Sequence, residues 1–139
     1  MNWTPDAPVI LTPIRYPLTA QSTQTLDHAR GIAEEYEDAQ LLVLHVDLVQ
    51  ANQHSTAQDI HRAITPIVGD QSASVIVQRG FIIEDVIREE AEQRGADIIV
   101  LGQNQKPRWQ QYLSRVLGNN PDIISYLQDR TDATIETTG

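Results

Sequence analysis

Cysteine is absent from this chain of 139 residues, and lysine occurs once, at position 106. The lack of cysteine excludes a disulfide framework, a thiolate metal site and a cysteine nucleophile. No apolar run approaches the roughly 18 residues of a membrane span, and the N-terminus lacks a basic stretch followed by an apolar one. We therefore expect a cytoplasmic protein without a membrane span, and the length favours a single domain over residues 1–139.

Acidic residues outnumber basic ones by 19 to 10, giving a net charge of −9. Such a chain is a poor binder of nucleic acid, because phosphates need positive counter-charge. Nine of the bases are arginine. Acid excess with almost no lysine is what we expect of a halophilic protein, because the Debye length falls to about 3 Å in 1 M salt and the repulsion between acidic side chains is then screened. An ordinary protein with little lysine is the alternative. The stretch between Asp97 and Asp122 contains no acidic residue, but it contains three basic ones, Lys106, Arg108 and Arg115.

Short apolar runs alternate with segments of helical periodicity along the chain. The runs predict buried strands at Val9–Ile14, Leu41–Val46, Ser74–Gln78, Ile98–Leu101 and Ala133–Thr137. Helices are predicted between them, on apolar stripes that begin at Leu26, Ala57, Ile83, Trp109 and Ile123. This order predicts an α/β fold: a five-stranded, mainly parallel sheet with helices on both faces.

Ligands of such sheets bind beyond the carboxyl ends of the strands, where the strand order reverses. The residues that follow or end the predicted strands include Arg15, Val46, Arg79 and Gly102. After Gly102 comes a polar loop that holds the three bases and ends at Gly118. Glycines let a backbone approach phosphates, which indicates an anion site; the alternative is that both glycines only turn the chain.

Three stretches of this sequence resemble the universal stress protein family, and together they extend the resemblance over nearly the whole chain. They are Val-Ile-Leu-Thr-Pro-Ile at 9–14, Leu-Leu-Val-Leu-His-Val at 41–46, and Arg79-Gly80 followed by Ala-Asp-Ile-Ile-Val-Leu-Gly at 96–102. The resemblance implies a five-stranded α/β sandwich of the adenine nucleotide alpha hydrolase-like kind and a stress-response or regulatory role. It also implies a homodimer, commonly paired through the last strand, here Ala133–Thr137.

Members of that family that bind ATP carry the pattern G-x2-G-x9-G-[ST] after the fourth strand and an aspartate at the end of the first. Here Gly102 fits the first glycine, Gln105 takes the place of the second, and Gly118 fits the third only with three extra loop residues. Asn119 replaces the Ser or Thr, and Arg15 replaces the aspartate. These departures argue against standard ATP binding.

Two explanations of the bases stay open. Arg15, Lys106, Arg108 and Arg115 could hold a different anion through their side chains, or Arg15 could pair with a local carboxylate, such as Asp47, and fill the site. The leading prediction is a stress-response protein that acts by binding without an established cofactor. The alternatives are a nucleotide-binding member with a remodelled loop from Gly102 to Asn119, and a dimeric interaction module without a ligand.

Catalytic and metal-ligand patterns are lacking in the sequence. The four histidines are scattered without an H-x3-H spacing, and neither Ser114 nor Ser125 lies in a G-x-S-x-G turn. We expect His45 to be a hydrogen-bonded core histidine, and Glu89, Glu90 and Glu92 to form a solvated helix face. The protein is therefore predicted not to be an enzyme and to have no metal site.

Overall fold

The computed structural model describes residues 7–50, 54–69, 73–102 and 123–138. Strands and helices alternate through these residues. They are β1 (Val9–Pro13), α1 (Ala20–Glu34), β2 (Gln40–Leu48), α2 (Ala57–Val68), β3 (Ala73–Gly80), α3 (Ile83–Arg94), β4 (Ile98–Gly102), α4 (Ile123–Arg130) and β5 (Thr134–Thr138). The helix predicted from Trp109 onward lies outside the described residues.

The five strands form one parallel sheet in the order β3-β2-β1-β4-β5. The chain builds outward from β1 to β3 and then crosses back, so that β4 lies on the other side of β1. This confirms the predicted α/β fold. It also locates the reversal of strand order between β1 and β4, at the centre of the sheet.

Alternation along the strands divides the core into two layers, one on each face of the sheet. Ile10 and Val43 pack with Leu26 of α1 and Ile60 of α2 on the first face. On the second face, a separate cluster packs against α3 and α4, and its buried members are Leu11, Leu42, Leu44, Ile76, Ile87, Ala91, Ile99, Leu101 and Leu127. Both faces are covered, which is why the strand sequences are apolar at successive positions.

Local signals at the helix ends behave as the sequence predicts, with one exception. The Thr19 hydroxyl accepts a hydrogen bond from the Ser22 N–H at the start of α1, and Gly95 ends α3 in the left-handed conformation with φ of 64°. The exception is Pro66, because a proline inside a helix usually interrupts it. The helix continues through it to Val68, with the proline ring exposed on the solvent side.

Candidate functional site

The backbone hydrogen-bond ladder between β1 and β4 ends before the strands themselves do. Their register pairs Ile10 with Ile98 and Leu11 with Ile99, and no further pair follows in the described residues. The cause is Pro13. The Ile14 N–H donates to the Leu44 carbonyl on β2. Successive residues of a strand direct their backbone groups to opposite sides, so those of position 13 are directed at β4. Proline has no N–H to donate there.

The next carbonyl along β4 has a substitute donor. In this register an N–H at position 13 would meet the carbonyl of Val100. Instead, the hydroxyl of Thr12 donates to that carbonyl at 3.4 Å, and Thr12 is fully buried. At the point where strand order reverses, one long side-chain bond thus takes the place of a backbone bond, and we call this carboxyl edge the open edge.

Arg15 and Val46 lie at this open edge on adjacent strands. By alternation Arg15 follows Leu11 on the face of α3 and α4, and Val46 packs against the core of that same face. The Arg15 side chain is exposed and forms no ion pair with any carboxylate that the structure describes. A free positive charge thus follows the central strand.

Asp47 does not pair with Arg15, so the carboxylate named as an example of a partner for that arginine is wrong. Asp47 is buried, and its Oδ2 lies 3.0 Å from Nδ1 of His54, a half-exposed histidine. Alternation explains the difference, because Asp47 falls on the face of α1 and α2 with Leu41 and Val43, opposite to Arg15. This pair orients the residues that lead into α2.

Gly102 ends β4 on the face of α1. A Cβ built at this position would lie 2.8 Å from Nε2 of Gln21 and 2.9 Å from Oγ1 of Thr25. Any side chain here would collide with the first two turns of α1. Packing against α1 therefore already requires a glycine, independently of any ligand.

His45 is buried as predicted, but its Nδ1 has no hydrogen-bond partner among the described residues. The ring meets that of Tyr16 edge-on, with centroids 6.2 Å apart. Burial lowers the pKa of His45, and the backbone of Ile14 and the charge of Asp47 only partly oppose this shift. At neutral pH the imidazole is therefore uncharged.

Two buried carboxyl groups on α3 escaped the sequence analysis. Glu90, expected on a solvated face, is 3% exposed and accepts from Arg94 at 3.2 Å. Glu84 is 2% exposed, and its Oε2 has no partner in the part of the chain that the structure describes. Burial raises the pKa of Glu84. Periodicity gave a partial signal for Glu84, which lies three residues before the buried Ile87.

Glu84 lies beside the packing of α3 on α4. The neighbouring Asp85 accepts from the hydroxyl of Tyr126 on α4, and the guanidinium of Arg130 stacks over that tyrosine ring at 4.1 Å. Since α3 begins where the strands end, the unpartnered carboxyl oxygen belongs to the same edge of the sheet as Arg15 and Val46.

The other predicted site residues lie outside the described residues. They are Gln105, Lys106, Arg108, Gly118 and Asn119. Of the predicted set, the structure thus describes Arg15, Val46 and Gly102, and it brings all three to the carboxyl edge. Within the described ranges there is no group of three or more His, Cys, Asp or Glu side chains suited to a metal ion, and no helix long and apolar enough to cross a membrane.

Comparison with known proteins yields structural matches alone. No protein-family model matches the chain, and no curated protein matches it. Among solved structures, one similar chain is a universal stress protein in complex with cAMP, with a TM-score of 0.65, 16% identity and coverage of 95% of this chain and 96% of that one. Another is a hypothetical protein, with a TM-score of 0.56, 11% identity and 94% coverage of both chains.

These matches establish the fold. The chain has the α/β architecture of a universal stress protein over nearly its whole length, as the sequence resemblance implied. At such low identity the similarity does not extend to the ligand.

Proposed function

We propose that this chain is a stress-response or regulatory protein of the universal stress protein kind, which acts by binding a small anionic ligand and not by catalysis. The proposed site is the carboxyl edge between β1 and β4. The observation that carries the proposal is the end of the backbone ladder between these strands at Pro13, where strand order reverses.

The charge at the edge favours an anion as the ligand. Arg15 is exposed, has no carboxylate partner among the described residues and lies on the same face as Val46. A guanidinium binds phosphate through paired hydrogen bonds. The fold neighbour in complex with cAMP supports a nucleotide with a single phosphate as the first ligand to test.

Standard ATP binding is disfavoured by the same residues. Arg15 stands where ATP-binding members have an aspartate, so the charge offered to the ligand is reversed. The close packing of Gln21 and Thr25 already explains why residue 102 is a glycine. This glycine is therefore no longer an argument for a phosphate-binding loop. We propose a cytoplasmic protein with this altered site. The nucleotide-binding alternative with a remodelled loop requires ATP to bind through residues after Gly102.

Calorimetric titration of cAMP, AMP and Mg-ATP tests the proposal. We expect cAMP or AMP to bind, and Arg15→Glu to weaken binding by about tenfold or more, because a charge-assisted hydrogen bond contributes about 1.5–3 kcal/mol. The matched control is Arg79→Glu, since Arg79 is also exposed and also lies near the carboxyl end of a strand, but at the sheet margin. Absence of binding by all three nucleotides, or equal effects of the two variants, would refute the proposal.

A homodimer through the last strand stays a prediction. β5 is an edge strand, as such pairing requires. The opposite edge of the sheet also offers an unpaired strand, and mass measurements on variants of both edges decide between them.

A further inference from the structure

Glu84 lies on the inward face of α3, near the open edge of the sheet. The buried residues Glu84, Ile87 and Ala91 follow each other at intervals of three and four, so this stripe of the helix packs on the sheet. Glu84 belongs to the first turn of α3, and α3 begins where the strands end. Its carboxyl group is therefore directed at the sheet close to the edge where Arg15 lies.

The start of α3 packs closely on the ends of the strands. A Cβ built at Gly80, the last residue of β3, would collide with the side chain of Val86, so the helix approaches the strand end more closely than any other residue would allow. Ile83 packs against the same core cluster as Val46. Glu84 is thus enclosed between α3 and the strand ends, on the face that Arg15 shares.

The carboxyl group of Glu84 is buried without a full set of partners. The residue is 2% exposed, and its Oε2 accepts no hydrogen bond from the described residues. Desolvation of an unpartnered carboxylate is costly, and a buried polar group of this kind in a folded protein calls for an explanation. An apolar residue, such as the isoleucine found one turn later at position 87, would fill the same stripe without that cost.

The charged groups around Glu84 on the helices are engaged with other partners. Asp85 accepts from the hydroxyl of Tyr126 on α4, and Arg130 stacks over that ring. Arg88, one turn further along α3, bonds to a glutamate one turn beyond it. The described part of these two helices therefore supplies no cation that neutralises Glu84 directly.

Groups that favour an anion lie at the same edge. Arg15 is the charged residue that β1 contributes to this face, whereas Val46 of β2 and Gln78 of β3 are uncharged. The N-cap residue of α3 is Ile82, whose side chain makes no capping hydrogen bond. A guanidinium and a helix start without a side-chain cap both attract negative charge.

An ionised Glu84 would repel an anion bound among these groups, because the interaction is poorly screened in a buried site. A protonated carboxyl group instead has an O–H to donate, and an O–H that donates to an anionic oxygen forms a strong hydrogen bond. We infer that Glu84 is a ligand-binding residue of the anion site, which donates a hydrogen bond to the ligand as a neutral carboxylic acid, so that each binding event takes up one proton from solvent. This inference rests on the proposed function and adds a proton as a second ligand.

The sign of the pH dependence follows from the two states of Glu84. Burial raises the pKa of Glu84 in the free protein, and the backbone N–H of Glu84 and the charge of Arg130 only partly oppose this shift. A bound anion raises the pKa of Glu84 further. Above the pKa of the free protein, affinity for the anion should therefore fall by up to about tenfold for each unit of pH, and below that pKa it should be constant.

Proton uptake during binding tests the inference. Whichever of cAMP and AMP binds is titrated calorimetrically into the wild type and into Glu84→Gln, in two buffers of different ionisation enthalpy at about pH 7–8. The amide of Glu84→Gln keeps a donor of similar shape that does not titrate. We expect the wild type to take up about one proton more per ligand than this variant, and the ligand's own titration cancels in the difference.

Glu90→Gln is the matched control, because Glu90 is 3% exposed on the same helix but is bonded to Arg94. It should keep the proton uptake of the wild type, and circular dichroism verifies that each variant is folded. Equal proton uptake by the wild type and Glu84→Gln would overturn the inference and leave the proposed function intact. Wild-type affinity that rises with pH would also overturn it, since Glu84 would then accept from the ligand as a carboxylate. Binding of neither nucleotide would refute the proposed function as well.

Discussion

The two ends of the β1–β4 strand pair are built differently. At the amino end, the N–H of Val9 donates to Oδ2 of Asp97 at 2.8 Å, and the N–H of Asp97 donates back to the Val9 carbonyl at 2.8 Å. The Asp97 carbonyl also accepts from Thr134 on β5. At the carboxyl end, Pro13 has no N–H to offer. One aspartate thus joins three strands at the amino end, the closed end, whereas one proline leaves the ladder without a donor at the carboxyl end, the open end.

The helix above these strands repeats the contrast. Towards the amino end of the sheet, α3 has the paired Glu90 and Arg94, and the Ala96 N–H donates to the Ala91 carbonyl. Towards the carboxyl end, it has Glu84 with an unpartnered oxygen. The difference teaches that the closed end supplies stability, while polar groups at the open end lack protein partners among the described residues, and one of them, Arg15, is exposed.

The largest effect is expected from opening the closed end. Asp97→Ala removes the carboxylate that accepts from Val9 and leaves a backbone N–H unpaired, so we expect a loss of about 2 kcal/mol in the free energy of unfolding. Urea denaturation measures it. Asp97→Asn keeps an acceptor and should lose less. If Asp97→Ala costs no more than the exposed Asp129→Ala, the aspartate does not clamp this end.

The two buried glutamates of α3 should respond in opposite directions to the same substitution. Burial raises the pKa of Glu84, so the folded state favours its protonated form and ionisation at neutral pH is costly. Glu84→Gln should therefore stabilise the protein by roughly 1 kcal/mol at pH 7. The gain should disappear as pH falls through the raised pKa, because the wild-type carboxyl is then protonated too.

Glu90→Gln is the matched control for that measurement. Glu90 is equally buried but has Arg94 as a partner at 3.2 Å, so its substitution should destabilise the protein. Melting curves of both variants at several pH values give the answer. Destabilisation by Glu84→Gln at neutral pH would mean that the carboxylate has a partner, and the contrast between the two ends of α3 would be lost.

The smallest effect on the contrast between the two ends is expected from salt, because salt acts on the whole acidic surface and therefore on both ends. If the composition is a salt adaptation, the melting temperature should rise by roughly 3–6 °C between about 0.1 and 2 M KCl as self-repulsion is screened. A variant with amides at the exposed Glu35, Glu37 and Asp38 should show a smaller rise. A flat response in the wild type would contradict the halophilic hypothesis.

The positions of the first four strands were predictable because they contain continuous apolar runs, whereas the order of the strands in the sheet was not predicted. Even there, β2 and β3 are longer than predicted, since polar ends such as Gln40 and Arg79 pair within the sheet without adding to the apolar signal. The choice of the carboxyl edge for the candidate site followed from the alternation of strands and helices. Arg15, Val46 and Gly102 all lie at the carboxyl edge.

The partners of polar groups could not be read from the sequence. Asp47 binds His54 and not Arg15, because the alternation of side chains places Asp47 and Arg15 on opposite faces of the sheet. The face of Asp47 follows only once β2 is known to continue to Leu48. Gly102 is explained by side chains of α1 that are about eighty positions away in the chain. Glu84 and Glu90 are buried because α3 packs with these two positions facing inward. The sequence of that helix is rich in charged residues and does not indicate their burial.

The central claim is that the open end of the β1–β4 pair binds the ligand and the closed end does not. Amide chemical shifts followed by nuclear magnetic resonance during addition of cAMP test it residue by residue. We predict the largest changes at Ile14, Arg15, Val46 and Gly102, with none at Val9, Asp97 or Thr134. Changes centred on the closed end, or no saturable change at either end, would contradict the account.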